Sequence, residues 1–225
     1  MKELKKTNRT KVNRTPKRAV YEKETIYKIL DETFVCQIAF KIDGQVFIIP
    51  TAFGRKDDSI FIHGSNKSRM LNSIKSGEDI CIGVTLIDGI VAARSIFHHS
   101  INYRSVIIFG KGKEIDEPED KLKALKIITE HIIPGRWNDA RKPNEKELEI
   151  TSVFEFKIDE ASAKIRTGPP VDEKEDYNLN VWAGIIPLKT IAESPIRDQE
   201  VRNGILLPDY IKDFSMRVNS SKIKE

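Results

Sequence analysis

The chain has 225 residues, with 39% hydrophobic and 32% charged side chains, a balance of a folded globular protein with room for a sizeable core. No apolar run is long enough to span a membrane and the amino terminus has no apolar signal core, which places the protein in the cytoplasm. The net charge of +4 comes from residues 1–19, where Lys2, Lys5, Lys6, Arg9, Lys11, Arg14, Lys17 and Arg18 face a single acid, Glu3. No aromatic residue interrupts that basic run and no nucleic-acid motif follows it, so it is read as a solvated flexible arm rather than a nucleic-acid contact.

Ile26, Ile29 and Leu30 recur at helical spacing within residues 21–33, predicting a helix ahead of the first strand. Residues 34–42 alternate as a strand, and Asp43-Gly44 is a hairpin turn into a second strand, Gln45 to Phe53. A turn over residues 54–58 returns the chain as a third strand, Ser59 to His63. Gly64 then breaks the strand, and Ser65 or Asn66 is positioned to cap a helix over 66–76 with Met70, Leu71 and Ile74 on one face. A strand passing through a glycine into a helix start leaves backbone N–H groups unpaired and aligned, an arrangement that suits an anion. Ser65, Lys67, Ser68 and Arg69 add hydroxyl and cationic donors, which points to a phosphate monoester; a capped surface helix with solvated basic residues is the bland alternative.

Further on, Ile80 to Ile87 reads as a strand, Asp88-Gly89 as a second hairpin turn and Ile90 to Ser95 as its partner. Polar and aromatic residues over 97–104 interrupt the pattern before a long strand, Ser105 to Ile115, whose Gly110 and Gly112 predict a close approach in a curled sheet. Asp116 and Glu119 form a capping-box pair for a helix through Ile132 that Pro134-Gly135 ends. A short helix over 144–150, strands over 152–158 and 162–166, and a last strand-like run over 181–188 complete the ordered elements. Beyond Lys189 the pattern predicts an extended tail. The division is an arm (1–19), one mainly β domain with flanking helices (20–210) and a tail (211–225).

The chemical candidates narrow quickly. Cys36 and Cys81 lie in apolar strand-like runs and read as buried thiols rather than a disulfide or metal site. His98-His99 lacks carboxylate or thiol company for a metal ligand set, and Ser100 and Ser105 lack the glycines of a nucleophile elbow. Gly110-Lys111-Gly112 opens no helix, which excludes a dinucleotide fingerprint. Short antiparallel strands with one phosphate-seeking turn and a second polar cluster, Asn102 to Ser105, describe a phosphorylated ligand held on a β-barrel.

Four segments in this order, Ile48 to Gly54, Ile60 to Met70, Ala93 to Val106 and Val181 to Leu188, resemble the flavin-nucleotide-binding branch of the pyridoxamine 5′-phosphate oxidase-like family, over about residues 20–210. The resemblance implies a split β-barrel, a homodimer and one FMN at each of two subunit interfaces. It implies that Ser68 and Arg69 grip the FMN phosphate with help from Ser65 and Lys67, and that Ile49, Pro50 and Thr51 run beside the isoalloxazine ring. Asn102, Tyr103, Arg104 and Ser105 match the stretch that reaches the flavin from the other subunit, and Trp182 matches an aromatic position near the cofactor. Trp182 is otherwise a core aromatic. The basic substrate motif of the oxidase is missing, since Ala183, Gly184, Ile185, Ile186 and Pro187 follow Trp182, so oxidation of pyridoxamine phosphate is not implied. The reading is an FMN-dependent oxidoreductase acting on a small molecule, with a non-catalytic flavin carrier or sensor, or a degenerate oxidase, as the alternative. His63, beside the phosphate turn, leads the histidines as an acid–base candidate.

Overall fold

The computed structural model describes residues 2–220; residue 1 of the expected arm and residues 221–225 of the expected tail lie outside them. Ten strands form one antiparallel sheet: β1 (Ala19–Val20), β2 (Val35–Ile42), β3 (Gln45–Lys56), β4 (Ser59–Ser65), β5 (Ile80–Ala92), β6 (Ser100–Gly110), β7 (Lys113–Glu114), β8 (Thr151–Lys157), β9 (Glu160–Arg166) and β10 (Gly184–Pro187). Their order is β1-β9-β6-β5-β2-β3-β4-β8-β7, with β10 added along β5. The helices are α1 (Lys23–Asp31), α2 (Arg69–Lys75), α3 (Pro118–Ile132), α4 (Arg136–Asp139), α5 (Glu145–Glu149) and α6 (Asp209–Ser220).

The split arises in β3. Its first half, Gln45 to Ala52, pairs with β2, and its last four residues, Phe53 to Lys56, pair with β4. The sheet therefore curls without closing, and among the described residues no strand pairs the far edge of β3 over 45–52. Asp43 and Gly44 both adopt positive φ, 50° and 80°, the two-residue turn whose twist matches its flanking strands. Ile38, Phe53, Ile60, Ile62, Ile82 and Phe154 point into the curl, where Ile26, Ile29 and Leu30 of α1 and Met70, Leu71 and Ile74 of α2 join them in one core. On the outside α3 lies directly on β3: a Cβ at Gly54 would stand 2.6 Å from the Ile128 Cα, so only glycine admits that approach. The strand expected over 105–115 ends at Gly110, which has no close neighbour, and Gly112, between β6 and β7, meets the side chains of Ile74 and Phe156 rather than another backbone.

Several expectations are corrected. The turn expected over 54–58 shrinks to Asp57-Asp58, because Gly54 and Arg55 stay in the ladder with β4. Asp88-Gly89 is not a hairpin turn. β5 continues to Ala92, and Asp88 is the extra residue of a bulge between the pairs Ile87↔Tyr103 and Gly89↔Asn102. Asp-Gly suits both features, and here long-range pairing with β6 and β10 decides. The capping box expected at Asp116 is absent: Glu117 is the N-cap of α3 and makes no side-chain cap bond. Within the tail, residues 209–220 form α6, with Tyr210 packed on Gly135 and its hydroxyl bonded to Asp139 at 2.6 Å. The arm lies along the domain: Leu4 is 6% exposed, its N–H donates to the Tyr21 carbonyl at 2.8 Å, and Arg9 pairs with Glu160. A lone leucine in a basic run gives no periodic signal, which is why the sequence pattern reads it as solvated.

Candidate functional site

The turn expected to hold a phosphate begins where β4 ends. Ser65 Oγ accepts from Lys67 N–H at 3.2 Å, the Ser65 carbonyl accepts from Ser68 N–H at 2.9 Å, and Asn66 N–H donates to the Ile150 carbonyl at 2.9 Å. The helix starts later than the sequence pattern suggests, at Arg69, with Ser68 as its N-cap accepting from Leu71 N–H at 3.5 Å. The turn thus satisfies most of its own amides, and those of Arg69 and Met70 are left without a partner among the described residues. Ser65, Lys67 and Arg69 are exposed, and the Arg69 guanidinium rests over the Phe47 ring at 5.1 Å with no carboxylate beside it among the described residues. Phe47 stacks in turn on Phe40, with centroids 5.6 Å apart. An arginine held on an aromatic platform and not neutralised by the protein is ready for an anion from outside.

β3 supplies the adjacent wall. Phe53 N–H donates to the Phe34 carbonyl, which fixes the phase of the β2–β3 ladder. By that alternation Ile49 and Thr51 direct their backbone groups to β2, while Ile48 and Pro50 direct theirs to the open edge. Proline lacks an N–H and costs no ladder bond there. Of the three residues Ile49, Pro50 and Thr51, it is the carbonyl of Pro50 that a ligand along this edge can reach. Ile48 and Val46 leave the edge apolar, 66% and 60% exposed.

His63 sits on the outer face of β4, with Leu125, Thr129 and Trp137, on a cavity of about 240 Å³. It remains open to solvent at its edge, and desolvation lowers its pKa. A roomier cavity of about 750 Å³ between the β3–β4 turn and α3 has charged walls of both signs and contains none of the expected site residues.

The second cluster does not converge on one spot. Asn102 and Arg104 point to one side of β6 and Tyr103 and Ser105 to the other. Asn102 is buried, with Nδ2 donating to the Gly168 carbonyl at 3.2 Å and Oδ1 accepting from Arg166. Arg104 binds Asp88 through Nε and Nη2 at 2.8 and 2.9 Å and also Glu32, an ion network that raises its pKa and holds it on its own chain. Ser105 Oγ donates to the Lys164 carbonyl at 3.3 Å. In sheet order β5 and β2 separate β6 from β3, about 14 Å at ordinary strand spacing, and no contact joins this cluster to the Ser65–Arg69 turn among the described residues. Trp182 is 67% exposed and lies over Gly184, which corrects its reading as a core aromatic.

Two features were not singled out in the sequence. Asp172 is buried and accepts from the N–H groups of Arg94 and Ser95 at 3.0 and 3.2 Å, pinning the Ile96–His98 turn. Arg166, read as the last residue of a strand, is also buried. No local signal marks either, because both depend on segments distant in sequence.

Comparison with known proteins places this geometry. A family model described as pyridoxamine 5′-phosphate oxidase matches residues 22–165. The chain belongs to this family. It is similar to the flavocytochrome Anf3 from Azotobacter vinelandii, with 36% identity, a TM-score of 0.88 and coverage of 92% of this chain and 96% of that one. It is likewise similar to the FAD and heme binding protein from Mycobacterium smegmatis, with 33% identity, a TM-score of 0.85 and coverage of 88% and 97%. No curated protein matches the chain. The split barrel expected from the resemblance is the fold observed, shared with flavoproteins of the pyridoxamine 5′-phosphate oxidase family. Among the described residues no helix is long and apolar enough to cross a membrane.

Proposed function

We propose that this family member is a flavin-dependent oxidoreductase that binds FMN, with Ser68 and Arg69 on the phosphate and the open β3 edge beside the ring. The observation that carries this reading is Arg69, stacked on Phe47 and facing no carboxylate, next to an apolar strand edge whose backbone groups are free. Flavin-binding relatives across nearly the whole chain support it. When bound, the flavin supplies the hydride and electron chemistry, and the protein positions and shields it. On this reading Arg69 holds the phosphate, Phe47 orients Arg69, and the Pro50 carbonyl accepts from a ring N–H. The protein acts as a homodimer. The separation of β6 from the phosphate turn favours this, because a second copy can present Tyr103 and Ser105 to that turn.

The names of the two relatives favour a second reading, in which the protein also binds heme. Two histidines suit an axial ligand. His63 has no hydrogen-bond partner among the described residues and stands near Trp137. His99 turns Nδ1 to the Ser95 carbonyl at 3.0 Å, which leaves Nε2 free, on a turn where Ile96 and Phe97 are each 88% exposed.

Absorbance of the purified protein, followed by titration of apo-protein with FMN, FAD and riboflavin, tests both readings. Flavin bands and tighter binding of FMN than riboflavin are expected, and equal affinities remove the role of Arg69. A Soret band that the His63→Ala or His99→Ala variant shifts supports heme, and its absence after heme addition rejects it.

A further inference from the structure

Arg166 closes β9 with 7% of its surface exposed, and its guanidinium has no carboxylate partner among the described residues. One nitrogen, Nη1, donates to Asn102 Oδ1 and to the Gly168 carbonyl at 3.4 Å. Nε is buried without a hydrogen-bond partner among the described residues. Two other arginines show what that edge is for: Arg55 grips Asp31 through Nε and Nη2 at 2.6 Å each, and Arg104 grips Asp88 through the same pair. In Arg166 the side-on fork stands empty. A buried charge without a counter-charge is costly, and so is a buried donor without an acceptor, so a fold retains the two together where something else completes them. Two ionisable neighbours act on Arg166: desolvation and Arg18, of the same sign, lower the arginine's pKa, and Tyr103, its cross-strand partner, raises it.

We propose that the Nε and Nη2 edge of Arg166, with Arg18 beside it and Asn102 fixing its plane, binds a phosphate group of a ligand. Planar bidentate donation matches two oxygens of a phosphate, as it matches the carboxylates at Arg55 and Arg104. The site lies apart from the Arg69 turn of the same chain, beside Asn102 and Tyr103.

The test is a titration of the full-length protein followed by the Nε–H resonance of Arg166, assigned by its loss in the Arg166→Lys variant, which keeps the charge and removes the fork. Inorganic phosphate should move the resonance saturably in the millimolar range, while sodium chloride at matched ionic strength should not. The response should persist in Arg69→Ala, which separates this site from the flavin phosphate turn. Should Arg166→Lys fail to fold, through-space contacts to Tyr103 give the assignment on the unaltered chain. Parallel additions of FMN and riboflavin distinguish the source: movement with FMN and not riboflavin assigns the flavin's own phosphate, and movement with inorganic phosphate alone assigns a separate phosphorylated ligand. A resonance unmoved by phosphate and FMN, or moved equally by chloride, overturns the proposal.

Discussion

Replacing Arg69 by alanine isolates the phosphate interaction, because the free protein loses little by it. The guanidinium is exposed, faces no carboxylate, and its one described contact is the Phe47 ring at 5.1 Å. That contact is worth about 0.5–1 kcal/mol at an exposed position, so the unfolding midpoint should barely change. Ligand affinity should change more. A hydrogen bond to a charged group contributes about 1.5–3 kcal/mol, and a loss near 2 kcal/mol weakens the dissociation constant about 30-fold. Riboflavin lacks the phosphate and should bind the variant as it binds the parent. Fluorescence titration of both flavins against both proteins gives a double-mutant cycle in which the coupling of Arg69 to the phosphate is read directly. An FMN affinity within twofold of the parent, or an equal loss for riboflavin, would refute the assignment, the second because it would place Arg69 on the ring.

The same contacts support four shorter predictions. Gly54→Ala should destabilise the fold by about 1–3 kcal/mol, towards the upper end because the new methyl meets helix backbone 2.6 Å away rather than a side chain that can rotate; urea unfolding with an unchanged slope measures it. Removal of residues 2–18 should leave a folded protein that is less stable, since Leu4 is 6% exposed and joins the core; burying a leucine is worth about 1.5–3 kcal/mol, and a truncated chain as stable as the parent would contradict the packing. Burial pushes the Cys36 thiol up to about 12, whereas an unfolded cysteine titrates near about 8.5. The unfolded chain then loses its proton first, so the Cys36 contribution makes stability fall as pH rises between those values, and in the folded protein a thiol reagent at pH 8 should label Cys81 and spare Cys36 until unfolding. Added FMN should shift sedimentation towards a dimer, because a ligand held by two chains favours association by mass action; a monomer that binds one tight FMN per chain would withdraw Tyr103 and Ser105 from the site.

The first half of the fold is legible in the sequence because its signals are local. Asp43-Gly44 between alternating strands specifies a hairpin and its register, and Met70, Leu71 and Ile74 specify the buried face of α2. The Ser65–Arg69 turn is legible for the same reason, as its polar side chains lie within five residues. Tertiary structure decides where two local readings compete, as at Asp88-Gly89, where β6 and β10 convert a turn signal into a bulge. It also decides which polar residues are available to a ligand: Arg104 appears as a free cation in the sequence, yet Asp88 and Glu32 neutralise it. Arg166 is an ordinary strand residue in the sequence, yet the fold buries it beside Asn102 with no acid to meet it. Periodicity and turn chemistry are properties of neighbouring residues, whereas the neutralisation of a charge depends on side chains that only the folded chain brings within reach.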